Sequence, residues 1–254
     1  MIEIENTDQL RKYGLRIKSL NQIRGVLVYE EPVSIGAVIQ GQCEIGSYTY
    51  QGTGGIIRNT KIGRFCSIGA ELRSGLFHHP VEWVTMHPMT YSGTRHFDFY
   101  DGWKDIRGDT TWHHPDYQGL NISVGHDVWI GDDVTFLKSS KIGDGAVLSY
   151  RSTVNKDIGA YEIWGGSPAH RLKSRFDTFR KDEQKNIIKF LLESPWWNVS
   201  PKTLKNEKAP LNDPIEMISW ARAHPEAYKH LYSPPKWRLA REDTKIFLSQ
   251  ADNT

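Results

Sequence analysis

The chain has 254 residues, with 32 Lys plus Arg against 30 Asp plus Glu and a net charge of +2, which gives no electrostatic reason to expect nucleic acid or an anionic membrane as main partner. Hydrophobic residues make up 38% and charged residues 24%, an ordinary globular composition that argues against long disorder. Two cysteines cannot build a disulfide framework, and no stretch reaches the roughly 18 apolar residues of a membrane span.

The start, MIEIENTDQL, is acidic and polar and does not read as a secretory leader. Residues 1–32 therefore read as a lead-in, and a cytoplasmic, thiol-reducing setting is expected. From Val33 an aliphatic residue recurs every six positions: Val33, Ile39 and Ile45. Ala37, Cys43 and Thr49 occupy a small position four residues after each. After a slip through Gly52, Gly54 and Gly55 the rhythm resumes at Ile56, Ile62 and Ile68, with Thr60 and Cys66 at the small position. Both cysteines thus read as small inward residues rather than nucleophiles.

Between about Ser74 and Tyr117 the rhythm stops. This segment holds six of the ten histidines and three of the nine tryptophans. A loop this long inside a compact domain is either disordered or functional, and its aromatic content favours an ordered, functional excursion. Its aromatics Phe77, Trp83, Tyr91, Phe97, Phe99, Tyr100, Trp103 and Trp112 suit the face of a sugar or a flat drug.

The hexads return at Val124 and continue through Ile130, Phe136, Ile142, Leu148 and Val154, with Gly125, Gly131 and Gly143 directly after three of them. A period of six is neither that of a helix nor that of a plain strand. It fits short β segments joined by corners, three to a coil of a β-solenoid. The glycines let the backbone approach closely at a corner or adopt φ > 0. At about 18 residues a coil, the visible hexads make around five coils and a stack of ~24 Å.

The coils are expected to end near Trp164. Residues 177–194 carry a helical pattern, with Phe179, Ile187, Ile188, Leu191 and Leu192 on one face and Pro195 as the stop. Trp196–Trp197 would pack this helix on the coils. A second helix begins at Asp213, with Pro214 first and Glu216 completing a capping box, and residues 236–250 read as a third. From His170 onward sixteen basic residues face eleven acidic ones, a net of +5 that leaves −3 for the rest.

The segments IGRFCSIG (62–69), FHHPVEWVTMHP (77–88), GLNISVGHDVWIGDDV (119–134), IGDGAVLSYRSTVNKDI (142–158), IWGGSPAHRLKSRF (163–176) and LLESPWW (191–197) together resemble the xenobiotic branch of the hexapeptide-repeat acyltransferases. That branch includes chloramphenicol, streptogramin and saccharide O-acetyltransferases. The resemblance implies a left-handed parallel β-helix over 33–169, interrupted by the excursion 74–117 and followed by a helical extension over 170–254. It implies a homotrimer, acetyl-CoA as co-substrate, no required metal, and a small hydroxylated acceptor, either a saccharide unit or an antibiotic. The long tail favours the saccharide.

In that family an excursion-loop histidine is the general base. The matching residue is His79, followed by Pro80, with His78 as second choice and Glu82 as the group that would orient the ring. Trp83, His87, Tyr91 and Trp103 would line the acceptor site. The resemblance places pantetheine contacts at Asp132 and Tyr150 and nucleotide contacts at Asn155 and Lys156. Arg171 and Lys173 would meet the phosphates, although His170 stands where a Lys or Arg usually opens that stretch. Trp129 reads as packing at a subunit seam. Two other readings use the same repeat: a zinc lyase of the γ-carbonic-anhydrase type with His113, His114 and His126 as ligands, and a non-catalytic β-helix binding protein.

Overall fold

The structure, a computed structural model, describes residues 1–76, 79–87, 99, 122–137, 139–229 and 231–251. Short parallel strands wind into a triangular solenoid. On its first face, Arg16, Ser34, Tyr50, Ser67, Trp129, Val147 and Ile163 are successive register partners, in strands Leu15–Arg16, Val33–Ile45, Thr49–Arg58, Ser67–Ile68, Trp129–Ile130, Val147–Leu148 and Glu162–Gly165. The second face stacks Val38, Ile56, Arg73, Thr135 and Thr153. The third stacks Glu44, Lys61, Ser123 and Lys141.

The first face therefore has seven rungs rather than the five coils expected. The two additional rungs come from segments without the hexad signature: Leu15–Arg16, whose turn continues in Ile23–Glu30 paired in parallel with Ile39–Ile45, and Ile163–Trp164, beyond the last anchor Val154.

Within each strand alternate side chains turn inward, and the core is the column of hexad anchors. Ile39, Ile62, Ile68, Ile130, Phe136, Leu148 and Val154 are all buried. Each contributes about 1.5–3 kcal/mol by leaving water. One anchor is misassigned: Ile56 is exposed, and Ile57 fills the core in its place. Gly54 and Gly55, both at positive φ, absorb the extra residue as a register irregularity against the preceding strand.

The small positions are buried as expected, and their polar members satisfy corner carbonyls. Thr49 Oγ1 donates to Gly63 O at 2.7 Å, and Cys66 Sγ donates to Gly125 O at 3.2 Å. The glycine after each anchor answers a close approach rather than a dihedral. A Cβ on Gly131 would lie 2.6 Å from the backbone nitrogen of Tyr150 on the next rung. The left-handed residue of each corner comes two positions later, at Phe65, Asp127, Asp133 and Arg151.

Beyond the coils, His170–Ser174 folds back antiparallel on Glu162–Gly165. Helices follow at Lys181–Glu193, Pro201–Asn206 and Pro214–Ala223. Asp213 caps the last of these, accepting from the N–H groups of Ile215 and Glu216. Ile187 and Leu191 are buried, whereas Leu192 is exposed and faces away from the packed side.

Residues 236–250 form no helix. Lys236–Glu242 and Lys245–Gln250 make a hairpin that pairs antiparallel with Ile23–Glu30 and with Ile2–Ile4. Leu239, Ile246 and Leu248 enter the same core as the coils. The tail thus returns to the first coils, running along the corner between the third and first faces.

That corner is lined with aromatic contacts. Tyr48 stacks on Phe65 at 5.0 Å, Phe65 meets Trp196 at 4.6 Å, and His126 stacks on Trp197 at 5.3 Å. Arg64 donates to both oxygens of Glu30 at 2.6 and 2.8 Å and reaches Asn198 Oδ1 at 3.3 Å. Arg175 pairs with Asp127 at 3.1 Å and lies over the Tyr161 ring. The expected packing of Trp196–Trp197 against the coils is what these contacts show.

Candidate active site

The excursion leaves the coils after Ser74, at the corner between the second and third faces. Ser74 is fully buried, and its N–H donates to Ile56 O at 2.9 Å. A few residues on, Trp83 N–H donates to Pro80 O at 3.1 Å, closing a turn. His79 is exposed just before this turn, and its Nδ1 lies 2.8 Å from the carbonyl oxygen of Met86.

A carbonyl can only accept, so Nδ1 carries the hydrogen and neutral His79 holds its lone pair on Nε2. The tautomer of neutral His79 is thereby set by backbone geometry. The orienting position at Nδ1, expected for Glu82, is held by a main-chain oxygen, and Glu82 itself is exposed. No side-chain pattern in the sequence could reveal this partner, because it is a carbonyl seven residues away.

The described part of the excursion presents apolar side chains to solvent: Val81, Val84, Met86 and Phe99 are exposed. Trp83 is half-buried and His87 exposed, its N–H donating to Thr85 Oγ1 at 3.1 Å. His78, Tyr91, Trp103, His113 and His114 lie outside the described residues.

Asp132 and Tyr150 occupy successive rungs of the corner between the first and second faces. Asp132 Oδ1 accepts from Ala70 N–H at 2.7 Å, and its carbonyl accepts from Arg151 N–H at 2.8 Å. Tyr150 is 71% exposed, so its ring is open to a ligand. Asn155 and Lys156 lie at the next corner, below the one from which the excursion leaves. The second face, with Thr135 and Thr153, is therefore bordered by Asp132 and Tyr150 on one side and by the root of the excursion with Asn155 and Lys156 on the other.

The basic candidates are less open. The Lys156 ammonium lies 5.2 Å from the centre of the Trp164 ring. Arg171 Nε donates to Glu162 Oε1 at 2.7 Å, and Lys173 pairs with Asp177 at 3.1 Å. Glu162 also accepts from Trp164 Nε1 at 2.8 Å and Gly159 N–H at 3.0 Å. Burial works against its charge, but these donors outweigh it and hold the carboxyl below its ordinary value. Any phosphate reaching Arg171 or Lys173 must compete with these carboxylates.

His126, a ligand in the zinc reading, is engaged otherwise. Its Nδ1 accepts the Arg64 N–H at 3.0 Å and its ring is stacked on Trp197. Among the described residues no group of three His, Cys, Asp or Glu could hold a metal ion.

No family model matches the chain. A probable macrolide acetyltransferase from Lysinibacillus sphaericus is 35% identical over 141 residues, covering 55% of this chain and 69% of that protein. The chain belongs to the hexapeptide-repeat acetyltransferase family. Its coils form the parallel β-solenoid that the resemblance implies. A chloramphenicol acetyltransferase from Morganella morganii is 37% identical over 142 residues, which cover 54% of this chain and 58% of the relative. The chain spans about three fifths of the length of the chloramphenicol acetyltransferases it matches. Among solved structures, galactoside acetyltransferase in complex with coenzyme A aligns with a TM-score of 0.39 at 18% identity, covering 68% of this chain and 74% of that one.

Proposed function

We propose that the chain is an acetyl-CoA-dependent O-acetyltransferase in which His79 is the general base. The observation that carries this is the Nδ1–Met86 O contact at 2.8 Å, which leaves Nε2 as the basic atom of an exposed loop histidine. Nε2 takes the proton of the acceptor hydroxyl as its oxygen attacks the thioester carbonyl. The C–S bond breaks, and the departing thiolate takes the proton back from the imidazolium, giving an acetyl ester and CoA thiol. A thioester is already activated, so a base with a pKa near neutrality suffices without a covalent enzyme nucleophile.

Acetyl-CoA lies along the second face, with Asp132 and Tyr150 at the pantetheine, Asn155 and Lys156 toward the nucleotide, and Arg171 and Lys173 at the phosphates. The acceptor meets Trp83, His87, Tyr91 and Trp103 of the excursion. Its class is a hydroxylated saccharide or antibiotic; relatives named for chloramphenicol and macrolide substrates put the second group in the assay. The catalytic unit is the coil stack with excursion 74–117; of the extension 170–254, the helical part is appended to it and the hairpin of 236–250 shares its core. A homotrimer is supported by Tyr50 and Trp129, large side chains 54 and 59% exposed on the first face of the coils. Two unpaired, buried cysteines fit a cytoplasmic setting, and among the described residues no helix is long and apolar enough to cross a membrane.

The test is thiol release from acetyl-CoA with a panel of sugars, oligosaccharides, chloramphenicol-like alcohols and macrolides. Stimulation by at least one acceptor, lost in His79→Ala, supports the reading. No stimulation by any acceptor overturns it.

A further inference from the structure

The excursion carrying His79 departs and rejoins beside one turn of the coils, Arg58–Thr60. At the departure, Arg58 Nη1 donates to Gly75 O at 2.8 Å, and Nη2 donates to Gln40 Oε1. The Arg58 backbone N–H donates to Ser74 Oγ at 3.2 Å. Ser74 Oγ and Thr60 Oγ1 are 2.8 Å apart, and Thr60 Oγ1 donates to Arg58 O at 2.7 Å. Because Thr60 spends its proton on that carbonyl, Ser74 is the donor between the two hydroxyls. Ser74 and Thr60 are both fully buried. At the return, Thr60 and Ile122 are register partners, and Ile122 N–H donates to Asn59 O at 3.4 Å.

Gly75 is built for close approach. It sits at φ +67°, and a Cβ there would lie 2.5 Å from Arg58 O. His79 follows only four residues later, a tether of at most about 14 Å when fully extended. The place where Gly75 is held therefore limits where the imidazole can stand.

We propose that Arg58 is a positioning residue for acetyl transfer: its guanidinium holds Gly75 against the coils and so fixes the origin of the segment that presents His79. This rests on the O-acetyltransferase reading with His79 as base. Arg58 acts through the loop and touches neither reacting atom. A base displaced by about 1 Å can cost ~100-fold in rate while substrate binding is spared.

The experiment compares the full-length wild type with Arg58→Met and Arg58→Lys. The thioether cannot donate to Gly75 O, whereas an ammonium can. Expected for R58M is a fall in kcat of at least tenfold, with the KM for acetyl-CoA within twofold and faster amide exchange in peptides covering 70–87. R58K should recover most of both. The proposal is overturned if R58M keeps kcat within twofold, if R58K is as impaired as R58M, or if exchange rises evenly over the chain. Should R58M not fold, Arg58→Gln, too short to reach both Gly75 O and Gln40 Oε1, replaces it in the same comparison with the same expected and overturning results. A wild type that acetylates no acceptor refutes the transferase reading, and the exchange comparison then decides alone whether Arg58 holds the loop.

Discussion

Replacing Arg64 by Met should detach part of the tail from the coils, and the structure sets the size of the effect. The Arg64 and Glu30 side chains are 13 and 22% exposed, so the pair is largely out of water. Burial opposes ionisation of Glu30, but the hydrogen bonds and charge of Arg64, with the Ser47 N–H, hold its carboxyl below the ordinary value. In R64M the carboxylate keeps the Ser47 N–H at 3.3 Å and the charge of Lys236, and leaving one partner of a buried pair largely uncompensated costs about 3–5 kcal/mol. The longer bonds to Trp197 O and Asn198 Oδ1 and the guanidinium 5.3 Å from the Tyr232 ring centre are lost too, the last worth about 0.5–1 kcal/mol.

We take about 3 kcal/mol as the expected loss, since some water reaches both groups. With a urea dependence of about 3 kcal/mol/M, the midpoint falls by about 1 M. Tryptophan fluorescence at fixed protein concentration reads it, and the double variant with Glu30→Gln should be more stable than the sum of the single losses by about 2 kcal/mol. As pH falls through the Glu30 pKa, the carboxylate takes up a proton, the ion pair is lost and the two proteins converge. A loss below about 1 kcal/mol with additive single variants would refute the claim that this pair holds the coils together beside the tail.

His126 must be neutral to accept the Arg64 N–H, and its pKa is lowered, first by burial and then by Arg64 and Lys61 against the opposing charges of Asp144 and Glu30. An unfolded chain binds this proton near pH 6.5 while the folded one resists it, so the contribution is complete above that pH and is lost as pH falls toward the folded pKa. Unfolding free energies between pH 8 and 5 should therefore fall more steeply for wild type than for His126→Gln; parallel curves would contradict this. Burial pushes the Cys66 thiol up to about 12 and raises that of Cys43, so neither should react with an aromatic disulfide reagent until urea unfolds the chain. Rapid labelling of native protein would place one of them at the surface.

What the sequence disclosed depended on which contacts leave a periodic trace. The hexad anchors and the small column repeat because every rung meets the same triangular wall, so Ile130 and Val128 are readable without coordinates. Ile23–Glu30 carries no such trace, since its outer neighbour is the tail hairpin rather than another coil. The hairpin was legible in principle: Ile246 and Leu248 alternate with half-buried Phe247 and Ser249, and Asp243, in the two-residue turn, sits at φ +54°. Its dense charge mimicked a surface helix. Ile56 was misplaced because two left-handed glycines shift the phase by one residue, which periodicity cannot count.

The candidate site divides in the same way. A histidine before a proline in an aromatic excursion is visible as letters, whereas the carbonyl of Met86 and the guanidinium latch on Gly75 act on backbone atoms. Arg171 and Lys173 are legible in the sequence as phosphate contacts, but their ion pairs are not. Their carboxylate partners, Glu162 and Asp177, become neighbours only through the turn and hairpin at the end of the stack.

The most direct measurement is steady-state acetylation of an accepted hydroxyl by wild type and His79→Ala, with acetyl-CoA varied. Removing a general base costs ~100- to 10,000-fold. The expected result is a fall in kcat of at least about 100-fold with an acetyl-CoA KM near the wild-type value. A His79→Ala enzyme that turns over at the wild-type rate would contradict His79 as the base.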